Sequence, residues 1–293
     1  MTLAEKFAQQ TAGRVKDRTL IEEMERRGFH ITKDPPKERT SARLDIKVKP
    51  GGTVKIPLVS DTHMGSRFQQ VSALTDFYRY CDAKGAQAYL HAGDLLEGHH
   101  VHRDSVYEQF AFGVDEQVTN AVRHYPVSKN GPTHFIDGNH DSWSFENAGV
   151  TSGSLLAGKR PDLKYLGYYS AWVEVGGLRI YLAHGSRGGG AYAKSYKPQK
   201  LIESMAIEDA SATNIAAFGH WHQDAYVGRI RGMFGFMLPC FKAQDRFLRS
   251  LGKEPTIGGL MLEVEFTRDM KVWDVRQDWR YYSPKAGDFP GGG

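Results

Sequence analysis

The stretch FIDGNHDSW, residues 135 to 143, opens with the end of a short apolar run and then sets Asn139, His140 and Asp141 in a row behind Gly138. With the residues before it, Thr133 to Asp137 reads as a buried strand that turns sharply at the glycine. Three polar groups able to bind a metal or carry a proton therefore stand where a strand ends.

The same arrangement recurs along the chain. The strand-like run Val54 to Ser60 leads into Asp61-Thr62-His63, and Ala88 to Ala92 leads into Gly93-Asp94. Leu178 to Ala183 is followed by His184, and Asn214 to Phe218 by Gly219-His220-Trp221-His222. In open α/β sheets ligands bind beyond the carboxyl ends of strands, so the five segments are expected to converge on one rim.

Between these runs the period changes to that of a helix. Val71, Leu74, Phe77, Tyr78 and Cys81 recur at helical spacing, and about 20 residues from Asp104 read as a second helix. Later runs at Ala171 to Val175, Met233 to Leu238 and Leu260 to Phe266 are strand-like with few helices between them. Two stacked sheets covered by helices, an α/β layered architecture, accommodate this better than one doubly wound sheet.

Two divalent ions need about eight ligand groups, and oxygen with imidazole donors suits Mn, Fe, Zn or Mg. Asp61, His63, Asp94, Asn139, His184, His220 and His222 supply seven, and a bridging Asp94 would serve both ions.

The ordered blocks DTH, GD, GNHD, AHG and GHWH, spanning residues 61 to 222, closely resemble the calcineurin-like metallophosphoesterase superfamily. The resemblance implies a four-layer αββα sandwich over roughly Thr53 to Arg276. It implies that Asp61, His63 and His222 bind one metal, that Asn139, His184 and His220 bind the other, and that Asp94 bridges. The cofactor expected is a pair of divalent ions, Mn first, with Fe, Zn, Mg, Ni or Co as alternatives. The reaction expected is hydrolysis of a phosphate ester by in-line attack of a metal-bridging hydroxide. His140 is then placed to stabilise the transition state or protonate the leaving oxygen, and Asp141 to orient His140.

Substrate contacts are sought around this set. The loop HGSRGGGAYAKSYK, residues 184 to 197, offers Arg187, Gly189, Tyr192 and Lys194 to a phosphate and a base. His99 and His100 follow GDLLEG closely enough to reach substrate. His91 reads as a core residue, Glu97 as a structural one or a support behind the ligands, and MLPCFKAQDRF, residues 237 to 247, as a core strand and its turn. No G-x-S-x-G elbow occurs, and Ala193 breaks a near-match to a Walker A loop, which argues against serine-hydrolase and P-loop chemistry.

The 293 residues, 40% hydrophobic and 25% charged, can bury a substantial core. No run approaches the roughly 20 apolar residues of a membrane span, and Cys81 and Cys240 read as buried thiols, so a cytoplasmic protein is expected. Residues 1 to 50 hold 12 Lys and Arg against 8 Asp and Glu, and the rest of the chain is balanced. The expected organisation is a helical, slightly basic arm at 1–31, a linker at 32–52, a catalytic domain at 53–276 and a tail at 277–293. The basic arm and the basic, aromatic loop favour a phosphodiesterase or nuclease acting on nucleic acid. The alternatives are a small-molecule phosphomonoesterase or cyclic nucleotide phosphodiesterase, and a nucleic-acid-binding module with a secondary metal site.

Overall fold

In the computed structural model, which describes residues 40–44, 46–99, 105–185 and 193–292 (backbone alone at 40, 105, 147 and 148), the alternating runs pair into two six-stranded sheets. The first has the order β1 (Thr40–Arg43), β6 (Ser170–Val175), β7 (Leu178–Ala183), β8 (Ile215–Phe218), β10 (Met233–Met237) and β9 (Ala225–Ile230). The second runs β12 (Val272–Tyr281), β11 (Gly258–Phe266), β2 (Thr53–Val59), β3 (Tyr89–His91), β4 (Thr133–Asp137) and β5 (Leu163–Tyr168).

The two-residue period of each strand decides its layers. Leu178, Ile180 and Leu182 of β7 and Ile215 and Ala217 of β8 share one buried cluster with Ile56, Leu58, Leu90, Leu260 and Leu262 of the other sheet. Truncating one such leucine to alanine costs about 2–5 kcal/mol. The intervening residues Tyr181, Ala183, Ala216 and Phe218 pack outward with helices α5 (Tyr196–Ser204) and α6 (Ile207–Ala212) through Ile202 and Ala210. On the far side, Tyr89, Phe135 and Met261 are covered by α1 (Val71–Ala83), α2 (Gly113–His124) and α4 (Ser152–Lys159). Leu74, Phe77, Tyr78 and Cys81 form the buried stripe of α1, as their spacing predicts. The result is a four-layer αββα sandwich. The remaining helices are short: α3 (Trp143–Ala148) and α7 (Arg246–Ser250).

Strands β2, β3, β4 and β5 are parallel, as are β7, β8 and β10. The carboxyl ends of β2, β3, β4, β7 and β8 carry the five polar segments.

Three expectations need correction. Thr40–Arg43, read as linker, pairs in parallel with Ala171–Glu174, and Leu44 is buried. Ala42, Leu44, Ile46 and Val48 pack on the inter-sheet core, so a two-residue period was present beneath the alternating charges. The presumed tail from 277 contains the end of β12, and further on the Asp288 carboxylate accepts from the backbone and hydroxyl of Ser72 at 2.8 Å each. The helix expected from Asp104 is a 3₁₀ turn (Ser105–Glu108) and then α2, which starts at Gly113 with φ +71°. The helical arm at 1–31 lies outside the described residues.

Candidate metal centre

Backbone pairing draws the strand ends together before any side chain contributes. The Asp61 N–H donates to Gly93 O (3.0 Å) and the His63 N–H to Asp94 O (3.1 Å), so the turns after β2 and β3 run side by side. His184 Nδ1 donates to Ala92 O (2.8 Å) and the His220 N–H to Asp61 Oδ2 (2.9 Å), which ties the ends of one sheet to those of the other. Gly219 permits this approach. A Cβ there would stand 2.6 Å from Ala92 O and 2.1 Å from Ser60 Oγ.

Two donor sets result. In one, His222 Nε2 lies 3.2 Å from Asp61 Oδ1 and 3.1 Å from His63 Nε2. In the other, His184 Nε2 lies 3.1 Å from Asp94 Oδ2 and 3.0 Å from Asn139 Oδ1, and His220 Nδ1 is 2.8 Å from the same Asn139 oxygen. Asp94 Oδ2 is also 3.9 Å from His63 Nε2, which puts it between the sets.

The arrangement fits divalent metals. The groups Asp61–His63–His222 and Asp94–His184–His220 each place their donor atoms within 4.8 Å of one another. Donors about 2.0–2.2 Å from one ion lie about 3 to 4.4 Å apart, a range that holds the separations of 3.1, 3.2 and 3.9 Å in the first group and of 3.1 and 3.3 Å in the second. Asp61 Oδ1 is buried without a well-aligned hydrogen-bond donor, as an oxygen reserved for a cation would be. A third group, His63–Asp94–His140, brings His140 to the same place.

Backbone strain marks the site independently. Asp61, His63, Asp94, His220 and His222 all have φ between +47° and +85°, and among the described residues only Tyr169, Arg231 and Met270 otherwise do so without being glycine. Each such conformation costs about 1–3 kcal/mol and persists only where surrounding structure imposes it.

The electrostatics follow from burial and mutual charge. Burial alone would raise the pKa values of Asp61 and Asp94, but the imidazoles of His222 beside Asp61 and of His184 beside Asp94 outweigh it and hold both below the carboxylate range. Burial favours neutral His184, yet Asp94 reverses this and lifts it to about 9. His220, partly buried and facing His184, is lowered to about 4 by desolvation and then by the His184 charge. Burial likewise lowers His63.

His140 is buried, with Nδ1 2.6 Å from Glu97 O and its backbone N–H on Asp94 Oδ1 (2.8 Å). The Glu97 carbonyl therefore does the orienting expected of Asp141, and that expectation is corrected. The Asp141 carboxylate instead accepts from the backbone of Leu95 (3.1 Å), Leu96 (2.8 Å) and Gly138 (2.8 Å), clamping the turns after β3 and β4. Although Asp141 follows His140 in sequence, the turn directs its side chain elsewhere. Burial, with Asp137 and Asp94 nearby, pushes the Asp141 carboxyl well up.

Of the proposed substrate contacts, His99 lies 3.4 Å from Gln109 Oε1 and edge-on to Trp143, and Lys194 is exposed on the wall of a cleft. His100, Arg187, Gly189 and Tyr192 lie outside the described residues. His91 is a core residue as expected, bonded to Thr62 and to the Gly93 N–H. The sequence reading missed Ser60, whose hydroxyl donates to Asp61 Oδ2 (2.5 Å), and Lys242, a fully enclosed ammonium. A lysine directly after Leu238-Pro-Cys-Phe241 was the available signal for the second.

Residues 54–234 match the family model described as calcineurin-like phosphoesterase superfamily domain. The chain belongs to this superfamily. As a calcineurin-like phosphoesterase it is a metal-dependent hydrolase, and the clusters above are where its divalent metals fit. Among solved structures, it is similar to a 5'-nucleotidase precursor from Thermus thermophilus, at 15% identity and a TM-score of 0.41 over 78% of this chain and 54% of that one. It is also similar to a hypothetical protein from Pyrococcus horikoshii, at 9% identity and a TM-score of 0.40 over 79% and 89% of the two chains. The phosphoesterase thus spans about half the length of the Thermus protein. No curated protein matches it. Among the described residues no helix is long and apolar enough to cross a membrane.

Proposed function

We propose that this phosphoesterase is a two-metal phosphodiesterase acting on nucleic acid, with manganese as its working ion and the cytoplasm as its compartment. Asp61, His63 and His222 would hold one ion and Asn139, His184 and His220 the other, with Asp94 shared. When bound, the ions would supply Lewis acidity and neutralise phosphate charge. The residues of the chain do the rest. His184 Nδ1 is fixed on Ala92 O, which leaves Nε2 facing the centre. His140 Nδ1 is fixed on Glu97 O, which leaves Nε2 to give a proton to the departing oxygen.

The observation that favours an extended substrate is a cleft of about 560 Å³ beside His222. Gln223, the residue after His222, lines it with Gln244, Lys194, Lys253, Tyr281 and Tyr282. The Thr256 N–H, on the same wall, donates to His222 O (2.8 Å). Ammonium groups, amides and phenol rings suit a neighbouring phosphate and base. The two buried thiols, Cys81 and Cys240, are consistent with a reducing compartment.

The test is hydrolysis by EDTA-stripped protein restored with Mn, measured on bis-p-nitrophenyl phosphate, p-nitrophenyl phosphate, cyclic nucleotides, and single- and double-stranded DNA and RNA. Cleavage of diesters and polynucleotides that is lost in His140→Ala supports the proposal. Activity confined to monoesters or cyclic nucleotides refutes it in favour of a small-molecule enzyme.

A further inference from the structure

Lys242 lies in the segment after β10 and is 2% exposed, a rare position for an ammonium group. Its Nζ is 2.8 Å from Asp245 Oδ2 and 3.1 and 3.0 Å from the two oxygens of Glu97. Glu97 is also 2% exposed, and its Oε2 lies 2.9 Å from His63 Nδ1, a close polar contact short of hydrogen-bond alignment between two buried atoms that have no other hydrogen bond. A continuous line therefore runs from Asp245 through Lys242 and Glu97 to the back of a candidate metal ligand. The segment that carries Lys242 is anchored on both sides. Asp245 caps α7 by accepting from the Leu248 N–H (2.7 Å), and the Phe241 N–H, one residue before Lys242, donates to Asp61 O (3.0 Å).

We propose that Lys242 is a positioning residue for the metal centre: by gripping both oxygens of Glu97 it aims that carboxylate at His63 Nδ1, keeps the imidazole proton there, and so presents His63 Nε2 to the Asp61–His63–His222 half of the site. The proposal rests on the two-metal reading given above. The two halves are built differently. His184, in the other half, has its Nδ1 held by the backbone carbonyl of Ala92, which needs no cation to stay in place. Glu97 does need one. A buried carboxylate without a partner is costly and turns toward any available donor or water, which frees His63 to rotate or to carry its proton on Nε2. Loss of Lys242 should thus impair one half of the centre selectively.

The experiment is equilibrium Mn binding by competition with a chelator, in wild type, Lys242→Met, Glu97→Gln and the double variant, with ¹⁵N-histidine NMR of the metal-free protein. Wild type should bind two ions and show His63 protonated at Nδ1. Lys242→Met should weaken one ion by about 10–100-fold, the usual effect of losing a partner behind a ligand, and leave the other within about threefold. The double variant should recover most of that loss, because the amide oxygen that Glu97→Gln introduces accepts from His63 Nδ1 without needing a cation. A merely structural lysine would give no such rescue. Unchanged binding of both ions in Lys242→Met, equal weakening of both without rescue, or His63 protonated at Nε2 in wild type overturns the proposal. The NMR result decides it even if Lys242→Met fails to fold. Fewer than two ions on wild type would instead refute the two-metal reading itself.

Discussion

Replacing Gly219 by alanine adds one methyl group at the point where the two sheets' strand ends cross. The new Cβ would stand 2.1 Å from Ser60 Oγ, 2.6 Å from Ala92 O and 3.0 Å from Asp61 Oδ2. Reaching even 3.0 Å from the Ala92 carbonyl takes a movement of about 0.4 Å, and that carbonyl holds His184 Nδ1. Ser60 can move only by giving up its bond to Asp61 Oδ2. Overpacking of this kind costs about 1–3 kcal/mol, and a hydrogen bond to a charged group is worth about 1.5–3 kcal/mol. The expected loss is therefore about 4 kcal/mol, which for a domain of this size lowers Tm by roughly 8–16 °C. Thermal unfolding of the metal-free variant measures it, and Mn competition should show both ions weakened, because Asp61 serves one half and His184 the other. The control is Gly158→Ala in α4, where nothing lies within 4 Å of the added carbon. It should stabilise by about 0.5–1 kcal/mol. A Gly219→Ala protein with wild-type Tm and both ions bound at wild-type affinity would refute the account of how the centre is assembled.

Other substitutions separate the roles assigned above. His140→Ala should keep both ions while losing about 10²–10⁴-fold in turnover, whereas Asp94→Asn should lose metal as well; equal metal loss, read by equilibrium binding, would contradict the assignment. Asp141→Asn puts an amide NH₂ among three backbone N–H donors, so it should destabilise by about 2–4 kcal/mol in urea unfolding; a stable variant with only turnover impaired would restore Asp141 as the orienter of His140. Burial, then Lys164, lowers His134 in β4 to about 4. Its unfolded value is near 6.5, so the unfolded chain takes up the proton first as pH falls. The stability it contributes is complete above about 6.5 and is lost toward 4, on the order of 1–3 kcal/mol. His134→Gln should flatten that part of the metal-free stability profile, with His91 and His220, each also lowered to about 4, and His63, lowered by burial, sustaining the remainder.

The sequence was most informative where local rules suffice. Apolar periods of 2 and 3.6 located β4, β7 and α1 because burial on one face is enforced residue by residue, and the ordered polar blocks at strand ends were legible because each block is contiguous. Elements whose burial is partial were not legible. The short helices α3 and α4, the half-exposed strand β9 and the charged strand β1 carry weak periods, and their formation depends on pairing or packing with segments far away in the chain.

At the site, residue order alone gives the candidate metal-binding residues and the superfamily to which the chain belongs. What stands behind those residues depends on contacts that exist only in the folded chain. Asp141 is adjacent to His140 in sequence, yet its carboxylate serves backbone amides of two turns, while His140 is oriented by Glu97 O, 43 residues away. Lys242 reaches Glu97 across 145 residues, and no local pattern relates the two. Positive φ at Asp61, His63, Asp94, His220 and His222 was equally invisible, because those residues adopt it only under the constraint of neighbouring strands. Ligand identity is a property of residue type and order, which a sequence records. Ligand orientation is a property of contacts between distant segments, and those contacts come into being only when the two sheets stack.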